Sequence, residues 1–104
     1  ACIRCNVARM IRVSVMYPVT EGATFDHDYY AATHVPMAKA AWGLSDALIE
    51  KGMNGPYVAA VHVTFESMEK LGEAMSAPDS AAVLADLPNF TTINPVMQIS
   101  EIVT

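Results

Sequence analysis

Met10-Ile11-Arg12-Val13-Ser14-Val15-Met16-Tyr17 alternates strictly. Ile11, Val13, Val15 and Tyr17 fall on one face, and Met10, Arg12, Ser14 and Met16 on the other. A period of two is the signature of a β-strand, whose successive side chains point to opposite sides. Pro18 closes the run, and Glu21-Gly22 belongs to a loop. Tyr57 to Phe65 repeats the pattern. Tyr57, Ala59, Val61, Val63 and Phe65 share one face, and Val58, Ala60, His62 and Thr64 the other.

The segments around these two strands complete the order of elements. Phe25 to Trp42 reads as helical, with Thr24 or Asp26 available to cap it. Pro36 lacks the N–H that would bond the Ala32 carbonyl, and it disfavours helical angles at Val35. The helix is therefore expected to kink or end near His34 and to resume from Met37 to Trp42. Leu44 to Glu50 is read as an edge strand, followed by a turn at Asn54-Gly55-Pro56. Ser67 caps a helix with the apolar stripe Met68, Leu71, Ala74 and Met75. Pro78 breaks it, Asp79 to Asp86 resumes, and Val96 to Val103 forms the last strand.

The order β-α-β-β-α-β is the split βαβ arrangement of ferredoxin-like folds, an α+β class. It implies a four-stranded antiparallel sheet with both helices on one face. The faces set against the helices are nearly all apolar. The opposite faces are mixed: Arg12, Ser14 and Met16, then His62 and Thr64, then Gln98 and Ser100. Water would favour more charge there, and a second core would favour less polarity. Mixed small residues suit a sheet that faces a second sheet across a ligand-sized cavity. Two such sheets from two subunits make a twofold dimeric α/β barrel.

Composition agrees with a single small domain that needs a partner. The chain has 104 residues, 53% hydrophobic and 16% charged. That excludes a disordered chain and leaves more apolar surface than a monomer of this size hides easily. The net charge of −5, with only six scattered Lys and Arg, argues against nucleic acid. No run is long enough to span a membrane, and the N-terminus lacks the apolar core of a signal peptide, so a cytoplasmic address is expected. Cys2 and Cys5 form a C-x-x-C pair without a second pair to complete a zinc site and without the strand-to-helix setting of a redox motif. Residues 1–9 are read as an extension, and 10–104 as the domain.

The stretch Phe25-Asp26-His27-Asp28-Tyr29-Tyr30-Ala31-Ala32-Thr33-His34-Val35-Pro36 holds the residues best suited to chemistry. Asp26, Tyr30 and His34 recur at intervals of four, which places them in one stripe of a helix. Histidine is the side chain that exchanges a proton most readily near neutral pH, which suits His34 to general acid–base work. Its competing role is structural, bonding carbonyls freed by Pro36. One of Tyr29 and Tyr30 can be a core aromatic while the other binds a substrate oxygen. Asp26 reads as a cap, and His27 and Asp28 as exposed. Ser14, Met16 and His62 line the mixed face, and Trp42 serves as a packing or cavity-wall residue. No G-x-G-x-x-G, P-loop, H-E-x-x-H or G-x-S-x-G is present, and the three histidines have no metal-ligand spacing, so neither cofactor nor metal is expected.

The strand Ile11–Tyr17 with Pro18, followed by Phe25-Asp26-x-x-Tyr29-Tyr30-x-x-x-His34-x-Pro36, resembles the EthD family of small dimeric α/β-barrel proteins. The resemblance covers the chain from about Met10 onward. It implies a ferredoxin-like homodimer with a pocket between the sheet and the first helix, and it carries His34 and Tyr30 over as pocket residues. Similar proteins include cofactor-free cyclases, dehydratases and decarboxylases that act on polyketide-like aromatics. Two functions follow as expectations. One is a cofactor-independent enzyme acting on a small hydrophobic or aromatic carbonyl compound, with His34 as the proton-transfer group and Tyr30 steadying an oxygen. The other is a non-catalytic carrier of a hydrophobic metabolite. A purely structural dimerisation module explains neither the mixed faces nor the stripe.

Overall fold

In the computed structural model the described residues run from Met10 to Val103; Cys2, Cys5 and the rest of residues 1–9 lie outside them. The elements are β1 (Ile11–Pro18), α1 (His27–Tyr29), a π-helical turn (Tyr30–His34), α2 (Val35–Trp42), β2 (Leu48–Lys51), β3 (Tyr57–Phe65), α3 (Met68–Ser76), α4 (Asp79–Ala85), a 3-10 turn (Leu87–Asn89) and β4 (Val96–Glu101). The four strands form one antiparallel sheet in the order β2-β3-β1-β4. This is the expected ferredoxin-like α+β fold.

The central pair β1–β3 sets the two faces. Ile11 lies opposite Phe65, Val13 opposite Val63, and Val15 opposite Val61. These residues meet Leu71 and Ala74 of α3 in one apolar cluster. A second cluster gathers Tyr17, Ala59, Tyr30, Val35, Phe90 and Ile93 under the first helix. Val13 and Tyr30 are each only 1% exposed, so these clusters exclude water almost entirely. Removing such side chains from water is the main force holding helices to sheet.

Four local expectations change. The helix does not end near His34. Val35 keeps helical angles, φ −65 and ψ −43, and its N–H reaches back five residues to the Tyr30 carbonyl. The wider π turn starts a new α-helical register just before Pro36. The proline thus sits in a first turn, where its missing N–H costs nothing. The edge strand is shorter than Leu44–Glu50 because the Leu44 amide bonds the Lys39 carbonyl and is withdrawn from any ladder. Gly43, at φ 67, makes that left-handed helix ending possible. The last strand stops at Glu101, paired with Ile11, where β1 itself begins. On α3, Leu71 and Ala74 are buried, whereas Met68 and Met75 lie outside the line of contact and stay exposed.

Gly52 follows β2 and donates its N–H to the Val58 carbonyl. A Cβ at this position would fall on the Tyr57 carbonyl oxygen. Gly52→Ala is therefore expected to force the two chain segments apart, at a cost of about 2 kcal/mol or more. Thermal denaturation checks this, with the midpoint lowered by at least roughly 5 °C.

Candidate functional site

Asp26 caps the first helix, its carboxylate accepting from the Tyr29 N–H at 3.0 Å. From there the chain turns Tyr29 and Tyr30 in different directions. Tyr30 enters the core, and Tyr29 reaches across to Asp86 at the end of α4, donating its hydroxyl to Oδ1 at 2.8 Å. His34, one π turn on, places Nδ1 2.9 Å from the other oxygen of the same carboxylate. Asn89 supplies a third hydrogen bond to Asp86, from Nδ2 to Oδ1 at 2.8 Å. His34 and Asp86 are both buried, at 6% exposure each.

This arrangement fixes the tautomer of a neutral His34. A carboxylate can only accept, so Nδ1 carries the proton and the Nε2 lone pair is left available. Nε2 makes no hydrogen bond among the described residues. The ring lies 4.5 Å from Phe90 and stacks on Tyr30 at 5.6 Å with 17° between planes. Apolar and aromatic surfaces therefore surround a histidine already oriented by a carboxylate. The expectation that freed carbonyls would engage His34 gives way to this pairing.

Tyr30 contributes a different anomaly. Its buried hydroxyl makes no well-aligned hydrogen bond among the described residues, although the Tyr17 phenol lies close enough to interact with it. Burial drives its pKa far up, and the neighbouring Tyr17 phenol adds to the shift. Burial likewise pushes Tyr17 up to about 12. Both phenols stay protonated at any working pH and can only donate or accept hydrogen bonds as neutral groups.

Ser14, Met16, His62 and Trp42 lie elsewhere. Ser14 sits opposite His62 on the open face, with Oγ 2.7 Å from Nδ1. Nε2 of His62 is 2.8 Å from Glu50 on β2. Trp42 donates its indole N–H to Ser80 at 2.7 Å, and Ser80 in turn donates to the Ala74 carbonyl. A cleft of about 760 Å³ runs from Trp42 past the 43–47 loop to Arg12, His62 and Thr64. A hollow of about 500 Å³ adjoins at Met16, Glu50, Tyr57 and Ala60, and His62 borders both. Neither cavity is bordered by His34, and Trp42 is roughly 12 Å further along the helix from it. The polar residues thus form two separate centres. His27, expected to be exposed, is half-buried against Phe25 at 4.7 Å.

No motif in the sequence singles out Asp86, Asn89 or Glu50 as site residues. Asp86 did leave a signal: an acidic residue at a helix C-terminus opposes the dipole and needs a compensating partner. Glu50 left none, because the short β2 strand has no clear alternation. Among the described residues no group of three or more His, Cys, Asp and Glu is placed to hold a metal ion, and no helix is long and apolar enough to cross a membrane.

Desolvation pushes the Asp86 carboxyl up, but hydrogen bonds from Asn89, His34 and Tyr29 outweigh it, and the net pKa is lowered. A carboxyl lowered on folding stabilises the protein above its unfolded pKa of about 3.9. That contribution is lost as pH falls through the folded value. Asp86→Asn is therefore expected to be less stable at neutral pH and to show a shallower loss of stability towards acid. Urea denaturation at neutral pH and near pH 3 compares the two slopes.

A scan of family models and a search of curated proteins each find no match to this sequence. Solved structures do match. An EthD-like protein from Ralstonia eutropha is 43% identical, covering 93% of this chain and 95% of that one, with a TM-score of 0.85. An EthD family protein from Bacillus halodurans is 20% identical over 90% of this chain and 99% of that one, TM-score 0.72. SnoaB, a cofactor-independent oxygenase from Streptomyces nogalater, shares the fold at 9% identity over 88% of this chain and 92% of its own, TM-score 0.62. With near-complete coverage at 43% identity, on a fold whose first helix carries the Tyr-Tyr-x-x-x-His-x-Pro motif, this chain belongs to the EthD-like family.

Proposed function

We propose that this protein is a homodimeric, cofactor-independent enzyme that binds a small hydrophobic or aromatic carbonyl compound and moves a proton with His34. The observation that carries this reading is the His34–Asp86 pair. Asp86 orients the ring through Nδ1, steadies the imidazolium that forms on proton uptake, and leaves Nε2 as the base. Tyr29 and Asn89 hold the carboxylate in place. Tyr30 supplies the partner for a substrate oxygen. A buried hydroxyl without a well-aligned hydrogen bond is costly, and a ligand oxygen would repay that cost. Phe90 and Tyr30 pack on the imidazole and keep water from it. SnoaB, described as a cofactor-independent oxygenase, is an instance of catalysis without a cofactor on this fold.

The dimer is supported by the open face and by relatives. Leu48 and Val96, on the edge strands of that face, are 56% and 45% exposed. Two ferredoxin-like proteins of the same fold, from Bacteroides fragilis and Thermobifida fusca, are described as dimeric. Light scattering at micromolar concentration is expected to give twice the chain mass, and a clean monomer overturns the dimer.

For the chemistry, a panel of planar aromatic ketones and phenols is screened by thermal shift, and consumption of each binder is followed by chromatography. His34→Gln is expected to keep affinity while turnover falls about 100-fold or more. Tyr30→Phe separates structure from function. Without ligand it should match or exceed wild-type stability by roughly 1 kcal/mol, since the poorly bonded hydroxyl is gone. Its turnover should still fall. Tight binding with no turnover by the wild-type protein assigns the carrier role instead.

A further inference from the structure

We propose that Ser14, His62 and Glu50 form a second reactive centre, an acyl-transfer site that takes small esters or thioesters on the open face of the sheet. The three residues stand on adjacent strands, β1, β3 and β2. Ser14 Oγ is 2.7 Å from His62 Nδ1, and His62 Nε2 is 2.8 Å from Glu50 Oε1. The Glu50 carboxylate can only accept, so in the neutral ring Nε2 bears the proton. Nδ1 then accepts from the Ser14 hydroxyl. This is the polarity a nucleophile needs: hydroxyl to base, and base to an orienting carboxylate. The G-x-S-x-G elbow is absent, and the serine stands on a flat strand instead.

The surroundings give access. Arg12 and Met16 flank Ser14 on the same face, about 7 Å to either side. Arg12 borders the larger cleft, Met16 the smaller hollow, and His62 both. Ser14 stands between Arg12 and Met16 on that strand face, lines neither space itself and is buried at 7% exposure, so a substrate reaches it past His62, which borders both. The larger cleft runs out to the sheet edge at Leu48 beside the 43–47 loop, which gives a small substrate a route to His62. Arg12 has no ion-pair partner among the described residues and can reach over to a developing oxyanion.

The reaction follows from those roles. Ser14 Oγ attacks the acyl carbon while its proton passes to His62 Nδ1. Arg12 stabilises the tetrahedral oxyanion, and Glu50 stabilises the imidazolium through Nε2–H. Collapse breaks the carbon–oxygen or carbon–sulfur bond, the leaving alkoxide or thiolate takes the proton from His62, and Ser14 holds the acyl group. Water then attacks the acyl-serine, gives its proton to His62, and releases the acid as the serine is reprotonated. None of these steps involves His34, so the inference stands apart from the proton-transfer reading.

p-Nitrophenyl acetate tests it on the full chain. A burst of nitrophenolate approaching one per chain is expected, with the acetyl group mapped by peptide mass spectrometry to Ser14. Ser14→Ala should abolish the burst while keeping the wild-type thermal midpoint. His62→Gln should slow acylation about 100-fold. An acetyl group found on another residue, no adduct at all, or an undiminished burst in Ser14→Ala overturns the proposal. Mapping on the wild-type protein decides the matter even where a variant proves unstable.

Discussion

The antiparallel register between β1 and β3 is the constraint on which everything else rests. Val13 opposite Val63 fixes an apolar face for the helices. The same pairing, one residue on, sets Ser14 opposite His62 on the other side. A slip of a single residue would turn the polar pair into the core and the valines out of it. The register is held by burial of the apolar side, and the Ser14–His62 hydrogen bond follows from it. Core formation and the open-face centre are therefore two results of one alignment.

The two histidines show how a small domain pairs imidazole with carboxylate, once in the core and once at the surface. Each gives one ring nitrogen to a carboxylate from a different element: His34 to Asp86 at the end of α4, and His62 to Glu50 on the edge strand. The pairs differ in what the second nitrogen does. That of His34 is unengaged and faces aromatic surroundings, while that of His62 takes the Ser14 hydroxyl. Orientation of a base by a carboxylate is common to both, and the group left facing the base decides the chemistry.

The first helix links these features. Its π turn places Tyr30 and His34 in stacked contact and lets the helix continue through Pro36 to Trp42. A regular α turn would set the proline against the Ala32 carbonyl and end the helix early. Trp42 would then lose its position over the cleft, where Ser80 anchors it. π turns recur at functional sites because they re-aim side chains without breaking the rod.

The sequence by itself determined the fold class, the two central strands, a helix cap at Thr24 or Asp26, and the side of the sheet on which the residues of Ile11–Tyr17 and Ala59–Phe65 lie, though not that of Tyr57, which a register shift turns to the exposed side. All of these follow from local periodicity and capping chemistry, which neighbouring residues settle among themselves. It also singled out Tyr30 and His34, because a helical interval of four is legible in a line of letters. Only the tertiary structure decided their partners. Asp86 is 52 residues from His34, and Glu50 pairs with a histidine on another strand, so both contacts depend on how elements pack. The π turn was equally out of reach: the residues around Pro36 suit a break, and packing of Tyr30 and Val35 in the shared core keeps the helix whole instead. Local patterns set the elements, and long-range burial chose which polar groups would meet.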